Sequence, residues 1–373
     1  MSLCQEFISR IVREVAGGSV AIVHEWLTNL AGSEKVVRAL RRAYPGAPVC
    51  TSMRWHREFP DWDPVVTSFL QPLARGPSSH VKVLPLMPLA FRSLSVPAAE
   101  LTVTSFHTFA LHARAPESRA HLVYCHTPPR FLWRRDQLGK TNPAARALSS
   151  PIAAAMRPGD RRRARRPTLF VANSRAIRDR VRASYGRDAE VVHPPVEVER
   201  FAAARTMEPD DYFLVVSRLV PYKRVDLALK AFAELGWPLK IAGSGRAAAA
   251  LKRAAGPRVE FLGRVPDAEL PALVAGARAL VFPGEEDFGL VPVESMAAGT
   301  PVVAYGRGGV LDTVQDGRSG VLFDQLSSEA LVTALRRVAA TDWDRAAISE
   351  GVARFSEDRF IAEIRALGAA LRA

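Results

Sequence analysis

Short apolar runs alternate with amphipathic segments through the first half of the chain. Residues 1–18 carry a helical stripe of apolar side chains, and a second helix is predicted from Gly32 to about Ala43. Apolar runs separated by helices are typical of a parallel sheet that helices cover on both faces. We predict six strands in this half, at residues 20–23, 48–51, 101–104, 121–125, 168–172 and 190–192.

The pattern breaks after His193-Pro-Pro195 and starts again beyond a polar connector over residues 197–210. Five further strands are predicted, at residues 212–216, 239–242, 259–262, 279–282 and 302–304. The closing segment Phe355–Leu367 is an amphipathic helix. A chain of 373 residues also exceeds the usual size of one hydrophobic core. We therefore predict two α/β domains, 1–196 and 205–350, that face a cleft.

Composition is that of an ordinary globular protein, with 48% hydrophobic and 24% charged residues. The sequence has no run of 18 apolar residues and no cleavable signal pattern, so we expect a cytoplasmic protein without a membrane span. Cys4, Cys50 and Cys125 are an odd number of cysteines without metal-like spacing. Reduced thiols are the simplest interpretation.

The net charge of +13 includes one dense cluster, RPGDRRRARRP, over residues 157–167. Basic clusters bind anionic lipid headgroups, which makes Arg161–Arg166 a candidate contact with the inner face of a membrane. The cluster lacks interleaved aromatic residues, so we expect no nucleic acid as partner. A solvated loop or helix face is the simplest interpretation of the cluster.

One segment places two carboxylates around a turn between a strand and a helix. Residues 283–303 have the sequence PGEEDFGLVPVESMAAGTPVV. The loop follows a parallel strand and precedes a helix, a position where open α/β sheets bind ligands and free amides favour a phosphate. Glu286 and Glu294 flank this position. Carboxylates beside a phosphate site indicate a ligand that joins a diphosphate to hydroxyl-rich groups, as a nucleotide sugar does.

Two cations follow the first strand of the second domain. Arg218 offers a bidentate donor fork and Lys223 a compact charge, which together suit a diphosphate. A departing diphosphate needs its charge stabilised by a metal ion or by fixed cations. The two glutamates leave alternatives open, since paired carboxylates also act as acid and base in glycosidases or cap a helix.

The segment 283–303 resembles the signature of the retaining glycosyltransferases of family four, which have the GT-B fold of two Rossmann-like, doubly wound domains. The family pattern is matched here by Glu286, Phe288, Gly289, Leu290 and Glu294. The resemblance implies that Glu294 holds the nucleotide ribose and that Glu286 approaches the donor sugar. It also implies that the amides of the three residues between them face the sugar and phosphate.

The resemblance extends to other parts of the second half. The Arg and Lys of the family fall at Arg218 and Lys223, and its glycine turn beside the donor falls at Gly243. Backbone contacts to the nucleotide base are implied at Arg264 and Val265. In GT-B proteins, a final helix such as 355–373 crosses back onto the first domain.

In the first half, His126 and Arg130 follow a predicted strand in the segment YCHTPPR. A lone histidine at a strand end is usually structural, but the resemblance implies that His126 contacts the donor sugar and that Arg130 lies toward the acceptor or phosphate. The family usually has two glycines in the loop over the diphosphate, where this chain keeps only Gly32. Glu25, just before that loop, is a further candidate for the acceptor side.

Two other motifs have weaker claims. The segment from Gly243 to Glu260 has nearly the spacing of a dinucleotide-binding fingerprint, but it lies in the middle of the chain and not in an opening βαβ unit. Asp61-Trp-Asp63 and Asp342-Trp-Asp344 resemble the metal-holding Asp-x-Asp of another class of glycosyltransferase. Neither follows a convincing strand, and both are predicted turns.

We predict a retaining hexosyltransferase that needs no metal or other cofactor. Its donor is a nucleotide diphosphate sugar, and its acceptor is a saccharide, a lipid-linked molecule or a small molecule. The resemblance implies front-face attack, with His126, Arg218, Lys223 and Glu286 as the catalytic residues and no side-chain nucleophile.

Donor identity is the least constrained part of the prediction. Residues 285–289 and 305–309 resemble mannosyltransferases that build cell-surface polysaccharides from GDP-mannose. A transferase that uses a UDP-sugar is the first alternative. A glycoside hydrolase or phosphorylase with the two glutamates, and a basic binding protein, are the others.

Overall fold

The computed structural model describes residues 20–115, 118–134, 143–205 and 207–373. The helical stripe predicted over residues 1–18 lies outside them. The described residues form two compact units. Unit 1 contains the described residues up to Pro195 together with Asp358–Ala373, and unit 2 contains the described residues of Val196–Glu357.

Unit 1 contains a single parallel sheet. Its strands are β1 Val20–His24, β2 Val49–Thr51, β3 Val65–Thr67, β4 Leu101–Phe106, β5 Ala120–Cys125, β6 Leu169–Ala172 and β7 Glu190–Val191. Their order is β3-β2-β1-β4-β5-β6-β7, with all neighbours parallel. The central strands are buried on both faces, which is why they appear in the sequence as continuous apolar runs.

Helices cover both faces of this sheet. They are α1 Gly32–Ala43, α2 Ser79–Lys82, α3 Met87–Arg92, α4 Arg130–Trp133, α5 Pro143–Arg163 and α6 Arg175–Tyr185. Val37 and Leu40 of α1 pack into one hydrophobic cluster. Phe91 of α3 and Ile177 of α6 pack into the cluster on the opposite face. The sheet is therefore doubly wound.

Unit 2 has a second parallel sheet. Its strands are β8 Phe213–Val216, β9 Leu239–Ala242, β10 Val259–Gly263, β11 Ala279–Phe282, β12 Val302–Tyr305 and β13 Gly320–Phe323. Their order is β10-β9-β8-β11-β12-β13, again with parallel neighbours throughout. Two doubly wound parallel sheets confirm the predicted α/β fold class.

The helices of unit 2 lie on both sides of its sheet. They are α7 Val198–Ala202, α8 Val225–Leu235, α9 Ala248–Ala254, α10 Leu270–Ala275, α11 Leu290–Ala297, α12 Val310–Thr313, α13 Ser328–Ala339 and α14 Arg345–Glu350. α11 packs into one core cluster, and α8 and α13 into the other. The segment predicted as a polar connector is thus helical over Val198–Ala202, since Phe201 and Val198 bury their side chains in the core.

The last helix, α15 Glu357–Ala370, packs within unit 1. Phe360 and Ile364 enter the cluster that α1 also joins. The Tyr44 hydroxyl donates to the Ile364 carbonyl at 3.0 Å. Within the part of the chain that the structure describes, no helix combines the length and apolarity needed to cross a bilayer.

The sequence pattern did not predict two of the strands, β3 and β13. β3 has three half-buried residues at a sheet edge, and β13 begins with a glycine, so neither gives a clear apolar run. Both Asp-x-Asp segments lie in turns or loops. Asp63 pairs with Arg54 at 2.7 Å, and Asp344 caps α14 by accepting from the Ala347 amide at 2.9 Å.

Candidate active site

The carboxyl edge of the unit 2 sheet brings four loops together. The chain moves outward from β8 to β9 and β10, then returns to form β11 beside β8 and moves outward on the other side. The loops after β8 and β11 therefore diverge at this edge, which is the position where doubly wound sheets bind ligands. Arg218 and Lys223 lie in the first loop, and Glu286 lies in the second.

Lys223 and Glu286 form an ion pair across these two loops. Their side chains are only 15% and 13% exposed. The backbone turn behind Lys223 is unusual, because Arg224 has a φ of 53°, the only positive φ at a non-glycine residue in the described part of the chain. A non-glycine residue in this region is strained and persists only where its surroundings fix it. The turn thus fixes the first residue of α8 and the backbone position from which the Lys223 side chain extends.

Arg218 lies in the same loop but is exposed. Its Nη2 donates to the Tyr222 hydroxyl at 3.0 Å. A small cavity lined by Ser217, Lys223, Pro283 and Gly284 separates the ends of β8 and β11. The loop therefore presents one exposed guanidinium and one mostly buried ammonium on the same side of the sheet.

The loop after β11 ends at the N-terminus of α11. Gly289, with a φ of 88°, is the capping residue, and the helix begins at Leu290. Amides in the first turn of a helix have no partner within the helix. The Phe288 ring points the other way, into the core, with its centroid 5.7 Å from that of Phe355. Glu294, one turn into α11, is 7% exposed.

A glycine pair after β12 holds this loop in place. The Gly309 amide donates to the Glu286 carbonyl at 2.9 Å. A Cβ on Gly309 would lie 2.2 Å from Phe288 Cα, so only glycine allows the two backbones this approach. Gly309 was not among the predicted site residues, although the glycine-rich segment 305–309 was visible in the sequence.

Gly243 connects the loops on the other side of β8. Its amide donates to the Gly263 carbonyl at 2.6 Å, and a Cβ there would lie 1.8 Å from the Ser217 carbonyl oxygen. Gly243 therefore joins the loop of Arg218 to the end of β10. Arg264 is exposed just beyond β10, whereas Val265 packs against the core.

In unit 1, the corresponding edge carries a chain of hydrogen bonds that ends at His126. His126 Nε2 lies 2.8 Å from the Ser105 hydroxyl, which lies 3.1 Å from His24 Nδ1. His24 Nε2 in turn lies 3.6 Å from a carboxylate oxygen of Glu34. The three strands that end here are β1, β4 and β5, which are adjacent in the sheet. This series of hydrogen-bonded side chains was not predicted, because no local pattern marks Ser105 or His24.

More aromatic and imidazole rings surround this chain. The His107 ring centroid is 6.0 Å from that of His126 and 4.9 Å from that of Trp26, which stacks on His80 at 4.4 Å. Burial, reinforced by the nearby His24, lowers the pKa of His107 to about 3. Arg130, at the start of α4, contributes to the same shift. His126 thus lies beside the buried, neutral imidazole of His107.

Glu25, the residue predicted for the acceptor side, lies inside unit 1. Its side chain is fully buried, and one carboxylate oxygen accepts from the amides of four consecutive residues, 107–110, at 2.6–3.1 Å. Burial raises the pKa of this carboxyl, and the four amides oppose that shift. Glu25 therefore fixes the turn after β4, and with it His107, from inside the protein.

Gly32 is the first residue of α1, as its position in the sequence predicts. The start of this helix already has an internal acceptor. A Glu34 carboxylate oxygen accepts from the Ala31 amide at 3.1 Å and from the Ser33 hydroxyl at 3.0 Å. Glu34 therefore connects the loop of Gly32 to the hydrogen-bonded chain behind His126.

Comparison with known families identifies the second unit. Residues 198–354 match the family described as Glycosyl transferases group 1. These residues, which make up less than half of the chain, are similar to the group 1 glycosyltransferases. The matched range contains Arg218, Lys223, Glu286 and Glu294. Of the residues predicted to contact the donor, Gly32 and His126 lie outside it.

Curated relatives are similar to this chain over part of their length. A D-inositol 3-phosphate glycosyltransferase of a Nocardioides species is 35% identical over 43% of this chain and 43% of that protein. A GDP-mannose-dependent α-(1-6)-phosphatidylinositol monomannoside mannosyltransferase of Mycolicibacterium smegmatis is 33% identical over 48% of this chain and 54% of that protein. The chain thus spans about half the length of these curated relatives.

Solved structures resemble this chain over almost its whole length. HepE of Anabaena in complex with UDP-glucose covers 94% of this chain and 99% of its own, with a TM-score of 0.68 at 18% identity. A sucrose-phosphate synthase of Thermosynechococcus elongatus covers 94% of this chain and 97% of its own, with a TM-score of 0.66 at 20% identity. At such identities the likeness shows the GT-B fold alone.

Proposed function

We propose that this protein transfers a hexosyl group from a nucleoside diphosphate sugar to an acceptor hydroxyl, with retention at the anomeric carbon. The observation that carries the proposal is the meeting of Arg218, Lys223 and Glu286 at the carboxyl edge of the group 1 domain. Cations and a carboxylate at a strand-order reversal suit a diphosphate joined to a sugar.

Arg218 and Lys223 hold the diphosphate in this proposal. The exposed Arg218 guanidinium makes the first contact, and the mostly buried Lys223 supplies a fixed charge close to the leaving oxygen. Because fixed cations stabilise the charge that develops there, the reaction needs no metal ion. The first-turn amides of α11 add donors for a phosphate oxygen, and Glu294 binds the ribose hydroxyls.

The sugar lies next to Glu286 in the proposed complex. The acceptor oxygen bonds to the anomeric carbon on the face from which the phosphate oxygen departs, and that oxygen takes the proton of the acceptor. Glu286 and His126 orient the sugar and stabilise its positive character. The ion pair with Lys223 argues against a hydrolase that uses Glu286 and Glu294 as acid and base, because one of the two carboxylates is already committed to a cation.

GDP-mannose is the donor that we propose, supported by the likeness to the mycobacterial mannosyltransferase. The second candidate is a UDP-sugar, supported by the fold likeness to the HepE complex with UDP-glucose. The acceptor is a hydroxyl of a saccharide, a lipid-linked molecule or a small molecule.

Thermal unfolding with GDP, UDP, ADP and their sugars, each with and without a chelator, tests the donor assignment. A ligand that binds only the folded protein stabilises it, by about 2.7 kcal/mol at a concentration of 100 times its Kd, and therefore raises Tm. We expect GDP and GDP-mannose to raise Tm equally with and without chelator. A shift for UDP alone assigns a UDP-sugar, and loss of the shift with chelator contradicts metal independence.

Arg218→Ala tests the site itself. The residue is exposed, so its loss leaves the fold intact, and we expect the nucleotide shift to disappear together with transfer. Arg253→Ala, which removes an exposed arginine in α9, is the matched control. If Arg218→Ala binds and transfers as the native protein does, the proposed diphosphate site is wrong.

A further inference from the structure

One segment of unit 1 exposes large apolar side chains without any acidic residue nearby in sequence. No Asp or Glu occurs between Asp63 and Glu100. Half of the ten large hydrophobic residues exposed in the described part of the chain lie here. They are Phe69, Leu73, Val81, Leu86 and Leu89, with exposed fractions from 46% to 57%. We call these five residues the outer apolar surface.

The segment is folded rather than loose, because its other apolar residues are buried. Leu70, Val83, Met87 and Phe91 pack into the hydrophobic cluster on one face of the unit 1 sheet. Side chains that alternate with them point away from that cluster. The outer apolar surface is therefore the solvent side of a layer whose inner side is firmly packed, and its exposure is not needed for folding.

Basic residues accompany the outer apolar surface. Arg75, Lys82 and Arg92 are all exposed within the same acid-free segment. On α3, Leu89 and Arg92 are three residues apart, so they are neighbours on one side of the helix. On α3, an apolar and a cationic group thus share one side of the helix.

Arginines of the predicted basic cluster lie beside Arg92. Burial, together with the charges of Arg163, Arg92 and Arg166, lowers the pKa of His112 to about 3, so all three guanidinium groups act on this one imidazole. Arg166 also donates to the Leu111 carbonyl, in the turn that packs on α3. The arginine cluster and the acid-free segment therefore form one continuous basic region.

Part of the arginine cluster is structural. Arg161 donates to the Ser184 carbonyl at 2.9 Å and lies over the Trp133 ring. The buried Asp160 accepts from Trp133 and Tyr185 at 2.8 and 2.9 Å. These contacts attach the cluster to unit 1, so that its remaining exposed charges have a fixed position relative to α3.

We infer that the outer apolar surface and the adjoining arginines, with Arg92 at their junction, dock unit 1 onto an anionic lipid bilayer. Leucine, valine and phenylalanine side chains enter the boundary between headgroups and acyl chains, and the arginines and Lys82 contact the lipid phosphates. The inference goes beyond the proposed transfer reaction and does not depend on it.

The chemistry favours a bilayer over a nucleic acid. A polyanion in water requires the cations alone, whereas five half-exposed large apolar side chains match a partner with an apolar interior below an anionic surface. A second copy of this chain would cover the apolar side chains but would bring the same positive charges together, which is unfavourable.

Co-sedimentation of the full chain with vesicles tests the inference. The vesicles are phosphatidylcholine alone or phosphatidylcholine with phosphatidylglycerol, at low and high salt. We expect binding to the anionic vesicles, weaker binding at high salt, and little binding to the neutral ones. In L86S/L89S, the loss of two half-exposed leucines should lower the partition coefficient between water and the anionic vesicles about tenfold or more. L311S/L326S removes two exposed leucines of unit 2 and is expected to bind as the native chain does.

Four results overturn the inference. The first is no binding to anionic vesicles by a chain whose thermal unfolding is cooperative. The second is equal loss in the two leucine variants, which means general stickiness. The third is a native chain that binds RNA or DNA but not vesicles, when L86S/L89S binds the nucleic acid equally well. This result assigns the basic region to nucleic acid. The fourth is a concentration-dependent dimer of the native chain that L86S/L89S abolishes while the native chain does not bind vesicles, which assigns the surface to self-association. Thermal unfolding of L86S/L89S checks that the fold is retained.

Discussion

Replacing Glu286 by Gln tests the ion pair with Lys223, on which the proposed site depends. The two side chains are 13% and 15% exposed, so the pair is largely removed from water. Removing one partner of a buried pair costs about 3–5 kcal/mol, because the other charge stays behind without compensation. The residual exposure of this pair lowers the expected loss to about 2–3 kcal/mol.

The nucleotide should offset part of this loss. In Glu286→Gln, the Lys223 ammonium has lost its carboxylate, and a diphosphate gives it a new anionic partner without competition from Glu286. We expect the nucleotide that stabilises the native chain to bind Glu286→Gln about fivefold more tightly, or about 1 kcal/mol. Turnover should nevertheless fall about a hundredfold, since the variant no longer stabilises the positive sugar.

Thermal and urea unfolding with and without nucleotide, together with transfer assays, measure these three effects. Glu260→Gln, which makes the same change at an exposed site of unit 2, is the control and should alter none of them. Lys223→Met/Glu286→Gln should lose less stability than the sum of its single variants. Unchanged stability and unchanged nucleotide affinity in Glu286→Gln would refute the reasoning.

Two more predictions concern unit 1. Burial lowers the pKa of His107 and His112 to about 3 and of His121 to about 4, so below about pH 6.5 the unfolded chain takes up protons that the folded chain refuses. The contribution of these histidines to stability is therefore full above pH 6.5 and falls toward pH 4, by about 1 kcal/mol per pH unit for each histidine. His121→Gln should flatten the pH dependence of Tm. The same flattening in a variant of the exposed His56 would contradict this origin. Ser105→Ala breaks the hydrogen-bonded chain behind His126 and should lower kcat about tenfold with unchanged nucleotide affinity; Ser105→Thr should restore kcat, and a native kcat in the alanine variant would exclude a positioning role.

Much of the fold was predictable from the sequence because its strands are buried on both faces. Such strands appear as apolar runs, and eleven of them were located within a few residues of their observed bounds. The segments that were missed, Val65–Thr67 and Gly320–Phe323, are short and lie at sheet edges, where one side of the strand has no neighbour. Their pairing is decided by the adjacent strand and not by their own composition.

The candidate site divides in the same way. The sequence by itself determined that Arg218 and Lys223 follow one strand and that Glu286 and Glu294 flank a helix start after another. Only the tertiary structure decided that Lys223 pairs with Glu286, that Ser105 joins His24 to His126, and that Glu25 binds four amides inside the protein. These contacts depend on which strands are neighbours, and strand order in a parallel sheet is set by the packing of the whole unit, so no local pattern of residues records it.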